Sequence, residues 1–243
     1  MTARISIVAP MVDEAAELPR FAGMIARLSP PPFETILVDG GSADGSVAVA
    51  RAQGLRVIAS DRKGRAAQIN AGAAAAAGDI LFIIHLDTEV PADACAVVAQ
   101  TLADPRVALA GFTPVIAGAG GVRPVSTFHN WIKTWYAPLI FRPLSFARGL
   151  RLLFGDHAMF FRKADFERIG GLDPRMMIME DAYLCEKLAP VGRVRLLKRT
   201  VITSDRRIAA WGPLRANWIY FKVGLLWTLG LHRAADARYP DVR

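Results

Sequence analysis

Two cysteines in 243 residues, Cys95 and Cys185, are too few and too far apart for a disulfide framework or a zinc site, and both read as free thiols of the core. Long apolar runs are missing too. No stretch reaches the roughly 18 uninterrupted apolar residues of a spanning helix, although 53% of the chain is hydrophobic and the mean hydropathy is +0.27. The start, from Met1 to Pro10, runs into a strand pattern and then acids without the apolar segment of a signal peptide, so a cytoplasmic location is expected. There is no internal repeat and no obvious linker. One large domain is therefore the simpler expectation, and this length can bury most of its apolar surface.

Anionic residues are scarce in one part only. Residues 1–141 hold 11 Lys/Arg and 12 Asp/Glu, whereas residues 142–243 hold 19 and 10, so the whole net charge of +8 comes from the second part. Such asymmetry suits a phosphate-bearing substrate, an anionic lipid surface or nucleic acid. Nucleic acid is disfavoured, because the basic and aromatic residues follow helical apolar patterns and form no recognised nucleic-acid motif. Two aromatic, basic segments stand out: Phe128–Leu153, and Trp218–Trp227 with Arg215, Lys222 and Arg233 nearby. Each reads either as an amphipathic surface at a membrane or as a helix packed on the body of the protein.

The first part alternates short apolar runs with helical patterns. Strands are expected near 4–9, 34–39, 55–59 and 79–86, and helices near 13–28, 43–53, 65–77 and 92–103. That βαβα order predicts an α/β fold, a mostly parallel Rossmann-like sheet with helices on both faces. Further strands are expected near 107–113 and 152–161, with a mobile loop at Gly118–Gly121.

Carboxylates recur where such sheets bind ligands, at the carboxyl ends of strands. Asp39 follows Ile36-Leu37-Val38 and opens Asp39-Gly40-Gly41-Ser42-Ala43-Asp44-Gly45-Ser46. Its carboxylate could accept bonds from a base or ribose, or cap its own turn, while Gly40 and Gly41 allow close ligand approach. Asp13 and Glu14 follow the first strand, facing the same edge or steadying a helix start. Asp87 ends the strand through Phe82-Ile83-Ile84, flanked by His85 and Glu89 at two-residue spacing, and suits a hard divalent cation bridging to phosphate oxygens. Arg65, at a helix start, offers a guanidinium fork for a diphosphate or simply belongs to a solvated turn. Glu180 and Asp181 open another helical pattern, as helix-end acids or as a general base, with Asp181 preferred. Asp156 is a further candidate for an acceptor hydroxyl, and Arg206, Arg207 and Trp211 could close over substrate.

In this order the motifs resemble those of family-two glycosyltransferases with the GT-A fold, across roughly residues 4–215. The likeness is greatest to the small bacterial subgroup of selenodomain-associated transferases. Pro10-Met11-Val12-Asp13-Glu14 is similar to the family's Pro-x-x-Asn-Glu start, with Asp13 for Asn, and His85-Leu86-Asp87 to its Asp-x-Asp metal motif, with His85 for the first Asp. The resemblance implies that Pro10, Asp13, Glu14, Asp39, Gly41, Arg65 and Asp87 hold a nucleoside-diphosphate sugar, expected to be a UDP-sugar. It implies that Asp87 takes the metal role, holding Mn2+ or Mg2+, to which the flanking His85 and Glu89 could contribute directly or through water, His85 otherwise being a hydrogen-bonding pocket residue, and that Asp181, backed by Glu180, is the base of an inverting transfer. Asp156, His157, Arg206, Arg207 and Trp211 would meet the acceptor. Residues 1–113 then form the donor part and 114–243 the acceptor part. Two other functions compete: a sugar nucleotidyltransferase, which needs a Gly-rich basic loop that Ala9–Glu14 does not provide, and a catalytically silent membrane-associated binding protein.

Overall fold

The computed structural model describes residues 3–229 and residue 231, so the expectation involving Arg233 lies outside the described residues. Nine strands form one sheet: β1 (Ile5–Met11), β2 (Glu34–Asp39), β3 (Arg56–Ala59), β4 (Ile80–Ile83), β5 (Thr88–Glu89), β6 (Val107–Gly118), β7 (Gly121–Val122), β8 (Phe160–Arg162) and β9 (Arg193–Ser204). Their order is β3-β2-β1-β4-β8-β6-β9-β5, with β7 folded back on β6. The first four neighbours run parallel, β8 is antiparallel to both β4 and β6, and β6 and β9 are parallel. The α/β expectation holds.

The helices are α1 (Leu18–Ala26), α2 (Ser46–Ala52), α3 (Arg65–Ala75), α4 (Ala94–Leu102), α5 (Pro124–Phe141), α6 (Pro143–Ala147), α7 (Lys163–Arg168), α8 (Glu180–Leu188), α9 (Arg206–Trp211) and α10 (Pro213–Thr228). Alternation along the strands builds a core on each face of the sheet. Ile5, Ile7, Ala9, Leu37, Phe82 and Phe160 face one side; Val8, Ile36, Val38, Leu81, Ile83 and Phe161 face the other, where α3 and α8 pack. The alanines of α3 bring that helix close to the sheet: a Cβ on Gly72 would stand 2.3 Å from Val8 Cγ1.

Three local expectations are corrected. The predicted strand at 152–161 is a strand only from Phe160, because Gly155–His157 makes a short 3₁₀ turn that sets Asp156 beside the sheet. Gly118–Gly121 is the tight turn of the β6–β7 hairpin, with Ala117 paired to Val122. The helix expected at 13–28 begins at Leu18, since residues 13–16 are drawn into loop contacts described below.

Candidate active site

The residues after β1 and β2 are stitched together by the polar side chains of the Asp39–Ser46 motif. The Asp13 amide donates to Ser42 Oγ (3.0 Å), the Glu14 amide to Ser46 Oγ (2.8 Å) and the Ala15 amide to Asp44 Oδ2 (3.0 Å). In return the Ala43 amide donates to Asp13 Oδ1 (2.7 Å). Gln68 closes the floor from α3, its amide nitrogen donating to the carbonyls of Met11 (2.9 Å) and Val38 (2.7 Å). Gly40 fits because there is no room for a side chain: its Cβ would lie 2.7 Å from Val12 Cγ2. Buried backbone groups at strand ends need such partners.

Over this floor lies a cavity of about 520 Å³, reached by Pro10, Glu14, Arg65, His85, Asp87, Asp156, Glu180, Asp181, Arg206 and Arg207. Residues from six separate segments converge here. The pairing of β5 with β9, Thr88 beside Thr203, carries Arg206 to the acids. Its guanidinium donates to both oxygens of Glu14 (3.0 and 2.9 Å) and to Asp87 Oδ2 (3.1 Å), a two-sided clamp across 192 residues of chain.

Other predicted residues lie elsewhere. Asp39 ends β2 beside the cavity, but its carboxylate accepts bonds from the Gly41 amide (3.2 Å) and from the Ser42 amide and hydroxyl (3.0 and 2.6 Å), and its neighbour Gly40 is the lining residue. Asp13 and Gly41 belong to the stitched loops. Glu89 is not brought to the cavity: strand alternation turns it outward to Arg20 (3.8 Å) and Arg27 (3.4 Å). Trp211 stays outside the lining, its ring tilted against Tyr220 with centroids 6.2 Å apart, and Tyr220 does line it. His157 is wholly buried beneath the cavity, with Nδ1 2.9 Å from Asp156 Oδ1 and Nε2 3.3 Å from Thr134 Oγ1, so it positions Asp156 from below.

Asp181 is a buried carboxyl beside a second acid. The chain turns through Met179 in a left-handed conformation (φ 65°), which starts α8 at Glu180 and leaves both acids buried at the cavity wall. Burial, reinforced by the charge of Glu180, raises the Asp181 carboxyl well above the usual carboxylate range, while Arg65 and the Gly155 amide act the other way. Arg65 Nη1 stands 3.7 Å from Glu180 Oε1. Asp156 is the counterpart. Burial raises its pKa, but His157, Lys133 and the Asn130 amide outweigh that and hold its carboxyl well below the usual range. Two acids in one cavity thus differ in basicity, as acid-base sites require.

Among the described residues no group of three or more His, Cys, Asp or Glu side chains is arranged to hold a metal ion. Two donors nevertheless suit one. His85 Nε2 is enclosed and has no hydrogen-bond partner, and burial, followed by Arg65, pushes the imidazole down to about 3, so its lone pair is available at neutral pH. Asp87 follows two residues later at the same wall. A divalent ion held by one or two protein donors completes its shell from phosphate oxygens and water.

Residues 6–170 match the sequence profile of glycosyl transferase family 2, two thirds of the chain. The chain belongs to that family. The transferase also shares its fold with solved structures: mannosyltransferase PcManGT from Pyrobaculum calidifontis in complex with GDP-Man and Mn2+ is 18% identical, with a TM-score of 0.68, over all of this chain and 66% of that one. S. aureus TarS 1–349 with UDP is 14% identical (TM-score 0.62; 83% of this chain, 60% of that), and with UDP-GlcNAc 14% identical (TM-score 0.63; 84% and 59%). The chain thus spans less than two thirds of the length of these neighbours. No curated protein sequence matches it.

A wall of the cavity is supplied by α5, outside the residues expected at the site. Asn130 donates to Asp156 Oδ2, and Lys133 Nζ lies 3.9 Å above the Phe154 ring. Ser126, Asn130 and Thr134 recur every four residues along the helix, and all three are buried.

Proposed function

We propose that this transferase moves a glycosyl group from a nucleoside-diphosphate sugar, a UDP-sugar, to an acceptor hydroxyl with inversion at the anomeric carbon. The convergence of Asp87, Asp181, Arg65 and Arg206 on one cavity carries this function. The stitched loops after β1 and β2 support the nucleoside, with Pro10, Gly40 and the rim at Asp39 beside it, and residues 1–113 act as the donor part. Two of the solved neighbours contain UDP or UDP-GlcNAc, and a third GDP-Man. The His85-Leu86-Asp87 spelling supports the selenodomain-associated subgroup.

The acceptor oxygen attacks the anomeric carbon as its proton passes to Asp181. The bond from that carbon to the diphosphate oxygen breaks, and its electron pair leaves with the nucleoside diphosphate. Arg65 and Arg206 face the charge that develops there. Asp87 and His85 would hold a divalent ion, which when bound supplies Lewis-acid stabilisation to the leaving diphosphate. Asp156, fixed by Asn130 and His157, orients the acceptor through a carboxylate that stays ionised and accepts hydrogen bonds, and Arg207 flanks it.

Thermal shift with UDP, UDP-GlcNAc and GDP-Man, each with and without Mn2+, tests the donor. A metal-dependent rise with UDP ligands is expected. No response to any nucleotide would refute the donor assignment, and a response to GDP-Man alone would replace uridine by guanosine.

A further inference from the structure

Helix α5 buries three polar side chains, Ser126, Asn130 and Thr134, followed by Ala137 and Pro138, whereas Val125 (76% exposed), Phe128 (60%), Trp131, Trp135 and Leu139 form an exposed stripe at helical spacing. Phe128, Trp131 and Trp135 are in ring contact with one another along it. Helix α10 is apolar on both sides. Ala216, Val223 and Trp227 are buried, while Leu214 (87% exposed), Trp218 (62%), Phe221 and Leu225 repeat along the outer face. The two helices pack together, with the Phe141 and Phe221 ring centroids 6.1 Å apart and a Gly224 Cβ position 3.3 Å from the Phe141 ring. A water-soluble surface seldom presents so much contiguous apolar area without a partner.

The charge around this face identifies the partner. Arg123, Arg142 and Arg206 on these segments are paired with Asp205, Glu186 and Glu14, and Lys133 and Arg207 line the cavity, so the outward charge comes from the remaining cations, with no Asp or Glu within residues 123–155 or 206–229. Arg148, Arg215 and Lys222 are exposed. A second copy docked face to face would oppose cation to cation, which disfavours self-association. An anionic bilayer meets both requirements, taking the indole and phenyl rings at its interface and the cations among its headgroups.

The same helices line the cavity from inside. Ala137, Phe141, Val223 and Trp227, with Leu152 and Ile208, form an apolar wall continuous with the polar end that holds Asp181. A diphosphate sugar has no use for such a wall. A hydrocarbon chain attached to the acceptor does.

We propose that α5 and α10 dock the transferase on an anionic membrane and that its acceptor is a lipid-borne hydroxyl, whose chain lies along this apolar wall. The proposal rests on the donor site of the proposed function, and its test separates the two. Flotation with phosphatidylcholine vesicles, with and without phosphatidylglycerol, measures docking, and quenching by brominated acyl chains reports tryptophan insertion. Thermal shift with UDP measures donor binding independently. Wild type should float with the anionic vesicles and be quenched. The double variant Trp131→Ser, Trp218→Ser, altered only at exposed positions, should bind them about tenfold or more weakly while melting and binding UDP as wild type does. Label from the donor sugar that binds should pass to a membrane lipid extract and partition into organic solvent. Protein that binds UDP yet neither floats nor is quenched overturns docking, as does a dimer that covers these tryptophans. Label recovered only in water-soluble product overturns the lipid acceptor. Vesicle binding without binding of any of the nucleotides removes the donor assignment and the lipid acceptor with it.

Discussion

Replacing Asp181 by Asn should separate stability from catalysis. The residue is 8% exposed, beside the still more buried Glu180 (2%), and has the Gly155 amide as a hydrogen-bond donor. Asn keeps the shape and can still accept that bond, but it carries no charge and takes up no proton. Loss of a positioned general base costs about 10²–10⁴-fold in turnover, or about 3–5 kcal/mol of barrier. Stability should move the opposite way. Because burial and Glu180 raise the folded carboxyl above its unfolded value, the folded state binds this proton more tightly, and that advantage is lost as pH rises through the folded pKa. The Asn variant has no such loss, so its melting temperature should gain on wild type with increasing pH and stay higher at neutral pH. In wild type, turnover should fall on the acid side above the usual carboxylate range, and Glu180→Gln should shift that limb to lower pH by removing the like charge. Kinetics over a pH series and parallel melting curves test this. A variant that retains more than about a tenth of the turnover, or loses donor binding together with turnover while still folded, would refute the role of Asp181 as base.

Arg206→Ala removes the clamp on Glu14 and Asp87 and should raise the donor KM about tenfold, about 1.4 kcal/mol, with a small change in melting; an unchanged KM means the clamp is only structural. A Cβ at Gly155 would lie 2.5 Å from His85 Nε2 and 3.1 Å from Asp181 Oδ2. Gly155→Ala should therefore destabilise the protein by about 1–3 kcal/mol in chemical denaturation and depress turnover. Unaltered stability and rate would show that this wall is loosely packed. Asn130→Ala should raise the acceptor KM several-fold and leave UDP affinity as it is, measured by calorimetry; weaker UDP binding would place Asp156 on the donor side instead.

The parallel half of the sheet was legible because its strands are short apolar runs bounded by turn residues. The boundary at 152–161 was not, since Leu152-Leu153-Phe154 and Phe160-Phe161 look like one run until the turn at Gly155–His157 separates them. Strand-end position pointed to Asp87 and Glu14. The orientation of Glu89 depends on its pairing opposite Ile202, a contact far along the chain. Asn130 and Lys133 could not be placed either, because an aromatic helix reads the same whether its polar or its apolar side is turned inward.

The strand order also decides where this chain can be cut. The family match ends at residue 170, a natural place to trim an expression clone. Yet β9 lies inside the sheet, between β6 and β5, and α8 brings the proposed base. A polypeptide stopped at the end of the match would lack an interior strand and expose the flank of β6, inviting insolubility before any assay of transfer began.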